Sequence, residues 1–143
     1  LLKFAVIISQ SNGKWVFCKH KERDTFEVPG GHREAGENTL ETAKRELQEE
    51  TGAIKFDIKP VCVYSVTGKT RVNDTGEESF GGLYFAEISE FAKELHSEME
   101  KVVLMDELPD NWTYPLIQPK LIEKYLQIER QTYSKIQLAQ SKL

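Results

Sequence analysis

Apolar and polar positions alternate along the first part of the chain in a way that predicts β-strands. Residues 2–9 form an apolar, β-branched run, residues 11–13 (Ser-Asn-Gly) supply turn residues, and residues 14–20 form a second run. Two such runs joined by a short turn predict a β-hairpin. A polar loop over 21–25 and a short strand over 26–28 follow it.

A helical pattern replaces this alternation after the loop that closes at Gly36. The apolar residues at helical spacing are Leu40, Ala43 and Leu47. Asn38 is a candidate N-cap, and Glu41 stands three residues later, where its side chain can answer the backbone amide of the cap. Gly52 ends the pattern. We therefore expect a helix of about four turns between Asn38 and Gly52.

The later part of the chain returns to strand patterns. Residues 54–66 alternate well enough for one long strand with a bulge around Pro60, and residues 79–88 predict another. The intervening residues 68–78 are polar and predict a hairpin or loop. Residues 102–104 predict a short strand, whereas the pattern of residues 91–99 is ambiguous.

The last part of the chain carries a helical stripe from Pro115 to about residue 140. Strands on both sides of a central helix, together with this terminal helix, favour a mixed sheet covered by helices on its faces. The fold class expected is α/β (α+β), with residues 1–143 forming a single domain. The terminal helix has enough apolar residues to pack on its own sheet or on a second subunit, so both a monomer and a homodimer remain open.

Composition narrows the function classes. A chain of 143 residues with 39% hydrophobic content can bury one core, and its net charge of -4 is spread over both signs. Without a basic stripe, we expect no nucleic-acid polymer as a partner. The longest apolar run, residues 4–8, is too short to span a membrane. Cys18 and Cys62 lie in apolar strands and fit a reducing cytoplasm. Because the sequence begins at Leu1 without a methionine, a missing N-terminal segment stays open.

The predicted central helix carries a concentration of negative charge. Glu49 and Glu50 stand three and four positions after Glu46, so the three share one stripe. Each like-charge pair at this spacing costs an isolated helix a few tenths of a kcal/mol, roughly. A divalent cation would compensate for the repulsion, and Mg²⁺ or Mn²⁺ prefers such oxygen ligands. Arg45 is a less suitable compensating charge, because it has a natural partner in Glu41. The alternative to a metal site is a solvated acidic face.

The residues before the helix favour the metal site. Gly30 and Gly31 have no side chains, so a backbone carbonyl and amides can approach a metal or a phosphate closely. Glu37 stands at the junction between this loop and the helix. Together, the acidic cluster and the glycine pair indicate phosphoryl chemistry.

The same residues resemble the Nudix box, the signature of the Nudix hydrolases. The matching residues are Gly31, Glu37, Arg45, Glu46, Leu47, Glu49, Glu50, Gly52 and Ala53. Ala53 is the weakest match, since a larger aliphatic residue is usual there. The order of strands and helices outside the box is also similar to the Nudix α/β/α sandwich.

The resemblance implies a role for each matched position. It implies that Glu46, Glu49 and Glu50 bind Mg²⁺, or alternatively Mn²⁺, together with the carbonyl of Gly30. It also implies that Glu37 and Arg45 support these ligands by holding the loop and orienting a carboxylate. The implied reaction is hydrolysis of a nucleoside diphosphate linked to another moiety.

The general base is less closely defined by the resemblance. It is a box glutamate in some family members and a glutamate from a loop before the last helix in others. We favour Glu49 or Glu50. Glu98 is the outside candidate among Glu94, Glu98 and Glu100, each of which is also explained as a solvated surface residue.

Substrate recognition must come from residues outside the box. Trp112 is placed to stack on a purine, with Asn111 or Asp110 at the edge of the base. The alternative for Trp112 is an aromatic lid on the core. Lys19, His20 and Arg23 are candidates for phosphate contacts, but we slightly favour the alternative, a solvated loop.

The aromatic-amide segment and the compact length resemble the MutT-like branch of the family. That branch cleaves nucleoside triphosphates, often oxidised purines such as 8-oxo-dGTP, to the monophosphate and pyrophosphate. The alternatives are hydrolysis of ADP-ribose, dinucleoside polyphosphates, sugar nucleotides or RNA 5′ ends. A nucleotide-sensing module that does not hydrolyse is a further alternative, but such proteins usually have a damaged box, and this box is intact.

Overall fold

A computed structural model of the chain describes residues 2–68, 76–94 and 99–141. The strands are β1 (Leu2–Ser11), β2 (Lys14–His20), β3 (Phe26–Glu27), β4 (Gly30–His32), β5 (Ala53–Gly68), β6 (Gly76–Phe91) and β7 (Met99–Met105). The helices are α1 (Thr39–Thr51) and α2 (Gln118–Ser141).

All seven strands belong to one mixed sheet. Its main order is β3-β2-β1-β6-β5, with β4 paired to β1 and β7 paired to β2. Strands β1 and β6 are parallel, whereas β1 pairs with β2 and β5 pairs with β6 in antiparallel register. The mixed sheet predicted from the sequence is therefore confirmed.

Strand β1 lies at the centre and sends alternate side chains to opposite faces of the sheet. Ala5 and Ile7 pack in one core cluster with Ala43 and Leu47 of α1. Their neighbours Val6 and Ile8 pack in a second cluster, whose members from α2 are Leu121, Ile122 and Tyr125. Each helix thus covers one face, which gives the α/β/α sandwich.

Helix α1 begins as the sequence predicts. The Asn38 side chain accepts a hydrogen bond from the Glu41 amide at 2.8 Å, and the Glu41 carboxylate accepts one from the Asn38 amide at 3.0 Å. This reciprocal capping box satisfies amide groups that the first turn leaves without a helical partner. The helix ends at Gly52, again as predicted.

Several predicted boundaries differ from those observed. Strand β6 begins at Gly76, so residues 76–78 are strand and not loop. Gly68 is the last residue of β5 and not part of a loop, and residues 69–75, the rest of the predicted polar hairpin, lie outside the described residues. Helix α2 begins at Gln118, three residues after Pro115, because the intervening residues form a turn. The bulge expected near Pro60 is present as a register shift between Pro60 and Cys62.

The two cysteines are free thiols, but only one behaves as a buried apolar residue. Cys18 is fully buried in β2, whereas Cys62 in β5 is half-buried. Within the described parts of the chain, no helix has both the length and the apolar character needed to cross a membrane.

Candidate active site

Arg45 is the centre of the polar contacts at the start of α1. Its Nε donates to Glu37 Oε2 at 2.7 Å and its Nη2 donates to Glu37 Oε1 at 3.0 Å. Its Nη1 donates to Glu46 Oε1 at 2.8 Å, and its Nη2 also donates to the carbonyl of His32 at 3.2 Å. One guanidinium therefore joins strand β4, the following loop and the helix, a use that suits its rigid fork of donors.

The predicted pairing of Arg45 with Glu41 is wrong. The Glu41 side chain is engaged in the capping box, and Glu37 takes its place as the partner of Arg45. The Arg45 guanidinium, with a backbone hydrogen bond from Glu34 and a hydrogen bond from Thr42, holds the pKa of Glu37 at about 2. Glu37 is consequently ionised at any physiological pH.

Glu46 and Glu50 are adjacent carboxylates at the inner side of α1. Their carboxyl groups lie close enough for Glu46 to raise the pKa of Glu50, and the backbone of Gly30 acts on the same carboxyl group in the opposite direction. The Oε2 atom of Glu50 is buried and has no hydrogen-bond partner. A buried carboxylate oxygen without a partner is costly, and it marks a position where a ligand would supply the missing interaction.

Burial raises the pKa of Glu50 far above its ordinary value. Desolvation is the largest cause, followed by the hydrogen bond and the repulsion from Glu46, and then by repulsion from Glu27. A nearby positive charge would reverse this shift, since it favours the ionised form.

Gly31 passes directly over the carboxylate of Glu46. A Cβ at this position would collide with the Glu46 side chain. The absence of a side chain at Gly31 is thus what allows strand β4 to approach the acidic pair closely. The predicted close approach of Gly30 and Gly31 to a metal or a phosphate stays a prediction.

Glu49 differs from the other two box glutamates. Its side chain is 55% exposed, and its Oε2 lies 3.5 Å from Arg45 Nη1. Across residues 2–68, 76–94 and 99–141, no three side chains of His, Cys, Asp or Glu converge as a metal-binding group. The structure therefore brings two of the three predicted ligands together, and the third points toward Arg45 and solvent.

The residues present nevertheless fit a hard divalent cation. The donors are carboxylate and backbone oxygens, which suit Mg²⁺ or Mn²⁺, and the unpartnered Glu50 Oε2 is available to such an ion. Glu49 and the Glu46 oxygen that Arg45 does not bond would complete the set. The assignment of these residues as ligands stays a prediction.

A pocket of about 240 Å³ opens beside Gly30 and Gly31. Its lining includes Phe4, Glu27, His32, Tyr64, Tyr114, Ile117 and Gln118. The Phe4 ring lies 5.8 Å from both the His32 ring and the Tyr64 ring, so aromatic faces form one side of the pocket. Such a pocket beside an acidic cluster is the natural place for a ligand with a planar ring.

Glu27 is a pocket residue that our sequence analysis missed. It is only 6% exposed, and burial raises its pKa despite the nearby Arg23 guanidinium and a hydrogen bond with the Thr113 side chain. No clear signal of this burial is present in the sequence, because a charged residue in a short strand is more often exposed than buried. What the sequence lacked was the direction in which this side chain points.

Trp112 and Asn111, the predicted base-binding residues, do not line this pocket. The Trp112 ring packs edge-on against Phe17 with centroids 5.4 Å apart, as expected of an aromatic lid on the core. The Asn111 side chain donates to the carbonyl of Asp24 at 2.7 Å. Asn111 thus anchors the segment before α2 to the loop before β3, and Trp112 anchors it to β2.

The remaining candidates occupy varied positions. Lys19 and Arg23 lie within ion-pair distance of Asp24 and Glu27, at 4.0 Å and 3.5 Å, which favours the structural interpretation of that loop. Glu94 is exposed just after β6. Glu98 lies outside the described residues, as does the side chain of Glu100, so the structure leaves these candidates for general base as they were.

The comparison with protein families decides the identity of the fold. The NUDIX domain model matches residues 2–125 of the chain. The chain belongs to the Nudix hydrolase family. Both the box motif on and around α1 and the α/β/α sandwich are therefore features that this chain shares with the family.

A relative in Bacillus subtilis (strain 168) carries the name "Putative 8-oxo-dGTP diphosphatase YtkD". It is 36% identical over 110 residues, which cover 76% of this chain and 65% of the relative. The chain thus spans slightly less than two thirds of the length of that protein.

Solved structures with the same fold include further members of the family. The Bacillus subtilis pyrophosphohydrolase BsRppH, crystallised as a point mutant, has a TM-score of 0.75 at 29% identity, covering 92% of this chain and 82% of that chain. The NUDIX domain of Shewanella oneidensis NrtR, complexed with ADP ribose, has a TM-score of 0.66 at 17% identity over 88% of this chain and 86% of that one. The second similarity shows the fold alone.

Proposed function

We propose that this Nudix protein hydrolyses a purine nucleoside triphosphate, such as 8-oxo-dGTP, to the monophosphate and pyrophosphate in the presence of Mg²⁺. The observation that carries the proposal is the pair of carboxyl groups on Glu46 and Glu50 beneath Gly30 and Gly31, with Glu50 Oε2 buried and unpartnered. This arrangement supports metal-assisted cleavage of a phosphoanhydride next to the pocket.

The metal would be held by Glu46, Glu49, Glu50 and the carbonyl of Gly30. When bound, it would neutralise charge on the diphosphate and lower the pKa of the attacking water. Gly31 lets strand β4 pass close to the Glu46 carboxylate, because it adds no side chain there.

Arg45 and Glu37 position the carboxylates. Their two-point ion pair fixes the guanidinium, which then holds Glu46 in place through its remaining nitrogen. Between the two favoured candidates for general base, we choose Glu49, because its exposed carboxylate is accessible to water, whereas Oε2 of Glu50 is buried. Glu49 would take the proton of the attacking water on a carboxylate oxygen.

The pocket supports a purine as the base of the substrate. Phe4, Tyr64 and Tyr114 offer aromatic faces, and Glu27 offers a buried carboxylate in the same pocket. An ionised carboxylate only accepts hydrogen bonds, so it matches a base edge that presents N–H donors, as guanine does with N1 and N2. The name of the Bacillus subtilis relative supports an oxidised guanine nucleotide among the possible substrates.

A panel of nucleotides tests this proposal. Purified protein is incubated with 8-oxo-dGTP, dGTP, dATP, ADP-ribose, a dinucleoside polyphosphate and a sugar nucleotide, with Mg²⁺ or with EDTA, and pyrophosphate and phosphate are measured separately. We expect pyrophosphate from 8-oxo-dGTP with Mg²⁺, and a loss of at least 100-fold in the Glu49→Gln variant, roughly as for other general bases.

Two outcomes would contradict the proposal in different ways. Turnover of ADP-ribose or a dinucleoside polyphosphate with inert triphosphates would retain the reaction class and reject the substrate. No turnover of any compound by the wild-type protein would reject the enzyme and favour a nucleotide-binding module.

A further inference from the structure

The side chain of Gln118 binds both polar groups of one backbone residue, Val28. Its Oε1 accepts from the Val28 amide at 2.9 Å, and its Nε2 donates to the Val28 carbonyl at 3.2 Å. Gln118 is only 4% exposed and stands at the first position of α2. A primary amide used in this way replaces the neighbouring strand that Val28 lacks on that side.

The segment before α2 continues this pairing along β3. The amide of Phe26 donates to the carbonyl of Asn111, and the amide of Thr113 donates to the carbonyl of Phe26, both at 2.9 Å. The hydroxyl groups of Thr25 and Thr113 are also hydrogen-bonded at 2.7 Å. Residues 25–28 are thus held on one side by the segment before α2, with Gln118 as the last contact.

Strand β1, at the centre of the sheet, constrains the neighbouring residues 28–30 from the other side. The amide of Ile7 in β1 donates to the carbonyl of Pro29 at 2.9 Å, and Gly30 is in register with Val6. A Cβ on Gly30 would stand 2.9 Å from the carbonyl oxygen of Ala5. The backbone from Val28 to Gly30 therefore lies between α2 and β1 with little space to shift.

A small displacement of the Val28–Gly30 backbone would also shift the strand that lies against the carboxylates of Glu46 and Glu50. Gly31 lies directly over Glu46, and the carboxylate of Glu46 lies beside that of Glu50. Gln118 also lines the pocket. Through Val28 and the two glycines, it connects the α2 side of the pocket to the carboxylates of α1.

We propose that Gln118 is a positioning residue, which fixes the Val28–Gly30 backbone over Glu46 and Glu50 through its two hydrogen bonds to Val28. The proposal rests on the proposed function, since it assigns Gln118 to the same site. Gln118 acts on the rate of the reaction and on the affinity for the metal, and it does not act by contacting the base of the substrate.

A graded set of variants separates the two hydrogen bonds. Gln118→Met has a similar length and shape but forms neither bond. Gln118→Glu, when ionised, keeps an acceptor for the Val28 amide and loses the donor for the Val28 carbonyl. Gln127→Met is the matched control, because Gln127 is exposed further along the same helix.

The first measurement is hydrogen exchange at the Val28 amide, together with Mn²⁺ affinity by calorimetry, and neither needs turnover. In Gln118→Met we expect exchange at Val28 to accelerate about 10-fold or more and Mn²⁺ affinity to fall about 10-fold, as for residues that orient metal ligands. Gln118→Glu should retain slow exchange at Val28, and Gln127→Met should match the wild-type protein. Unchanged exchange and affinity in Gln118→Met would overturn the proposal.

The second measurement is steady-state kinetics on the best substrate of the panel. We expect kcat in Gln118→Met to fall about 10- to 100-fold while KM changes less than about threefold. A raised KM with unchanged kcat would mean that Gln118 contacts the substrate directly and would overturn the positioning role.

If the wild-type protein hydrolyses nothing, the proposed function fails, while exchange and metal affinity still decide the role of Gln118. If Gln118→Met does not fold, Gln118→Asn, whose shorter side chain cannot reach both polar groups of Val28, is measured in its place, and wild-type Mn²⁺ affinity and kcat in that variant would overturn the proposal.

Discussion

Arg45 and Glu37 are joined by two parallel hydrogen bonds, at 2.7 and 3.0 Å, although eight positions separate them in the chain. The same guanidinium reaches Glu46 at 2.8 Å. Glu37 therefore determines where Arg45 stands, and Arg45 determines where a carboxylate of the acidic pair stands. The loop before α1 is thereby connected to the chemistry on the helix.

Replacing Glu37 with glutamine should reduce activity without unfolding the protein. Glutamine keeps the size of the side chain but cannot form a charged two-point pair with Arg45. We expect kcat/KM to fall about 10- to 100-fold, with a higher Mg²⁺ concentration needed for half-maximal rate. Glu34→Gln is the control, since Glu34 is 66% exposed and 3.5 Å from Arg45. Equal effects of the two substitutions would contradict the role of Glu37.

The contribution of Glu37 to stability should depend on pH in a defined window. Because its pKa is lowered from 4.5 to about 2 in the folded protein, the ion pair stabilises the fold fully above the ordinary pKa. That stabilisation is lost as pH falls from about 4.5 through about 2. Thermal unfolding of wild type and Glu37→Gln should thus differ by a constant amount from pH 8 to pH 5. The two melting temperatures should converge below that range, and a difference that persists unchanged at pH 2 would be inconsistent with this pairing.

Replacing Glu50 with glutamine should stabilise the metal-free protein. Glu50 has a raised pKa, so the folded state holds a proton that the unfolded state releases above about pH 4.5. The folded state accordingly loses stability as pH rises from that value. Glu50→Gln carries no such penalty, and we expect its free energy of unfolding in EDTA at pH 8 to exceed the wild-type value by about 1–3 kcal/mol.

The control for this prediction is Glu49→Gln, because Glu49 is largely exposed and avoids the desolvation that Glu50 experiences. Its melting temperature in EDTA should remain near the wild-type value. Added Mg²⁺ should stabilise wild type and have little effect on Glu50→Gln. A Glu50→Gln protein that melts below wild type at pH 8 in EDTA would show that Glu50 is not under the burial penalty described above.

Replacing Glu27 with glutamine should change base selectivity more than overall rate. A carboxylate accepts from the N–H edge of guanine, whereas an amide also offers donors and no longer matches that edge. Loss of one well-placed pair of hydrogen bonds costs roughly 1–3 kcal/mol of discrimination. We expect the ratio of kcat/KM for 8-oxo-dGTP to that for dATP to fall about 5- to 100-fold. A parallel decrease for both nucleotides would exclude a role in base recognition, and Glu22→Gln on the exposed preceding loop is the control.

Replacing Trp112 should affect stability and leave substrate affinity nearly unchanged. Its ring packs on Phe17 and joins the core cluster that α2 covers. Trp112→Ala should lower the free energy of unfolding by on the order of 2–4 kcal/mol, measured by urea titration. Trp112→Phe should restore most of that loss. If Trp112→Phe instead raised KM strongly with little change in stability, the stacking role expected from the sequence would be correct.

The local elements were predictable because their signals are local. The capping box at Asn38 and Glu41, the stop at Gly52 and the hairpin turn before Lys14 each depend on residues a few positions apart. The box motif was equally readable, since its spacing places Glu46 and Glu50 one helical turn apart whatever packs around them. These features suffice for the family and for the acidic pair.

Only the tertiary structure decided which side chains face the pocket. Glu27 is brought beside the acidic pair, and Gln118 beside Val28, by contacts that span the sheet and both helices, with Gln118 and Val28 separated by 90 positions. The Trp112 ring packs on the core because Phe17 offers a buried apolar surface, and no local sequence pattern reveals that contact. Arg45 pairs with Glu37 and not with Glu41, because the Glu41 side chain is engaged in the capping box. The sequence thus determined the chemistry available on α1, while packing between distant elements decided which residues surround it.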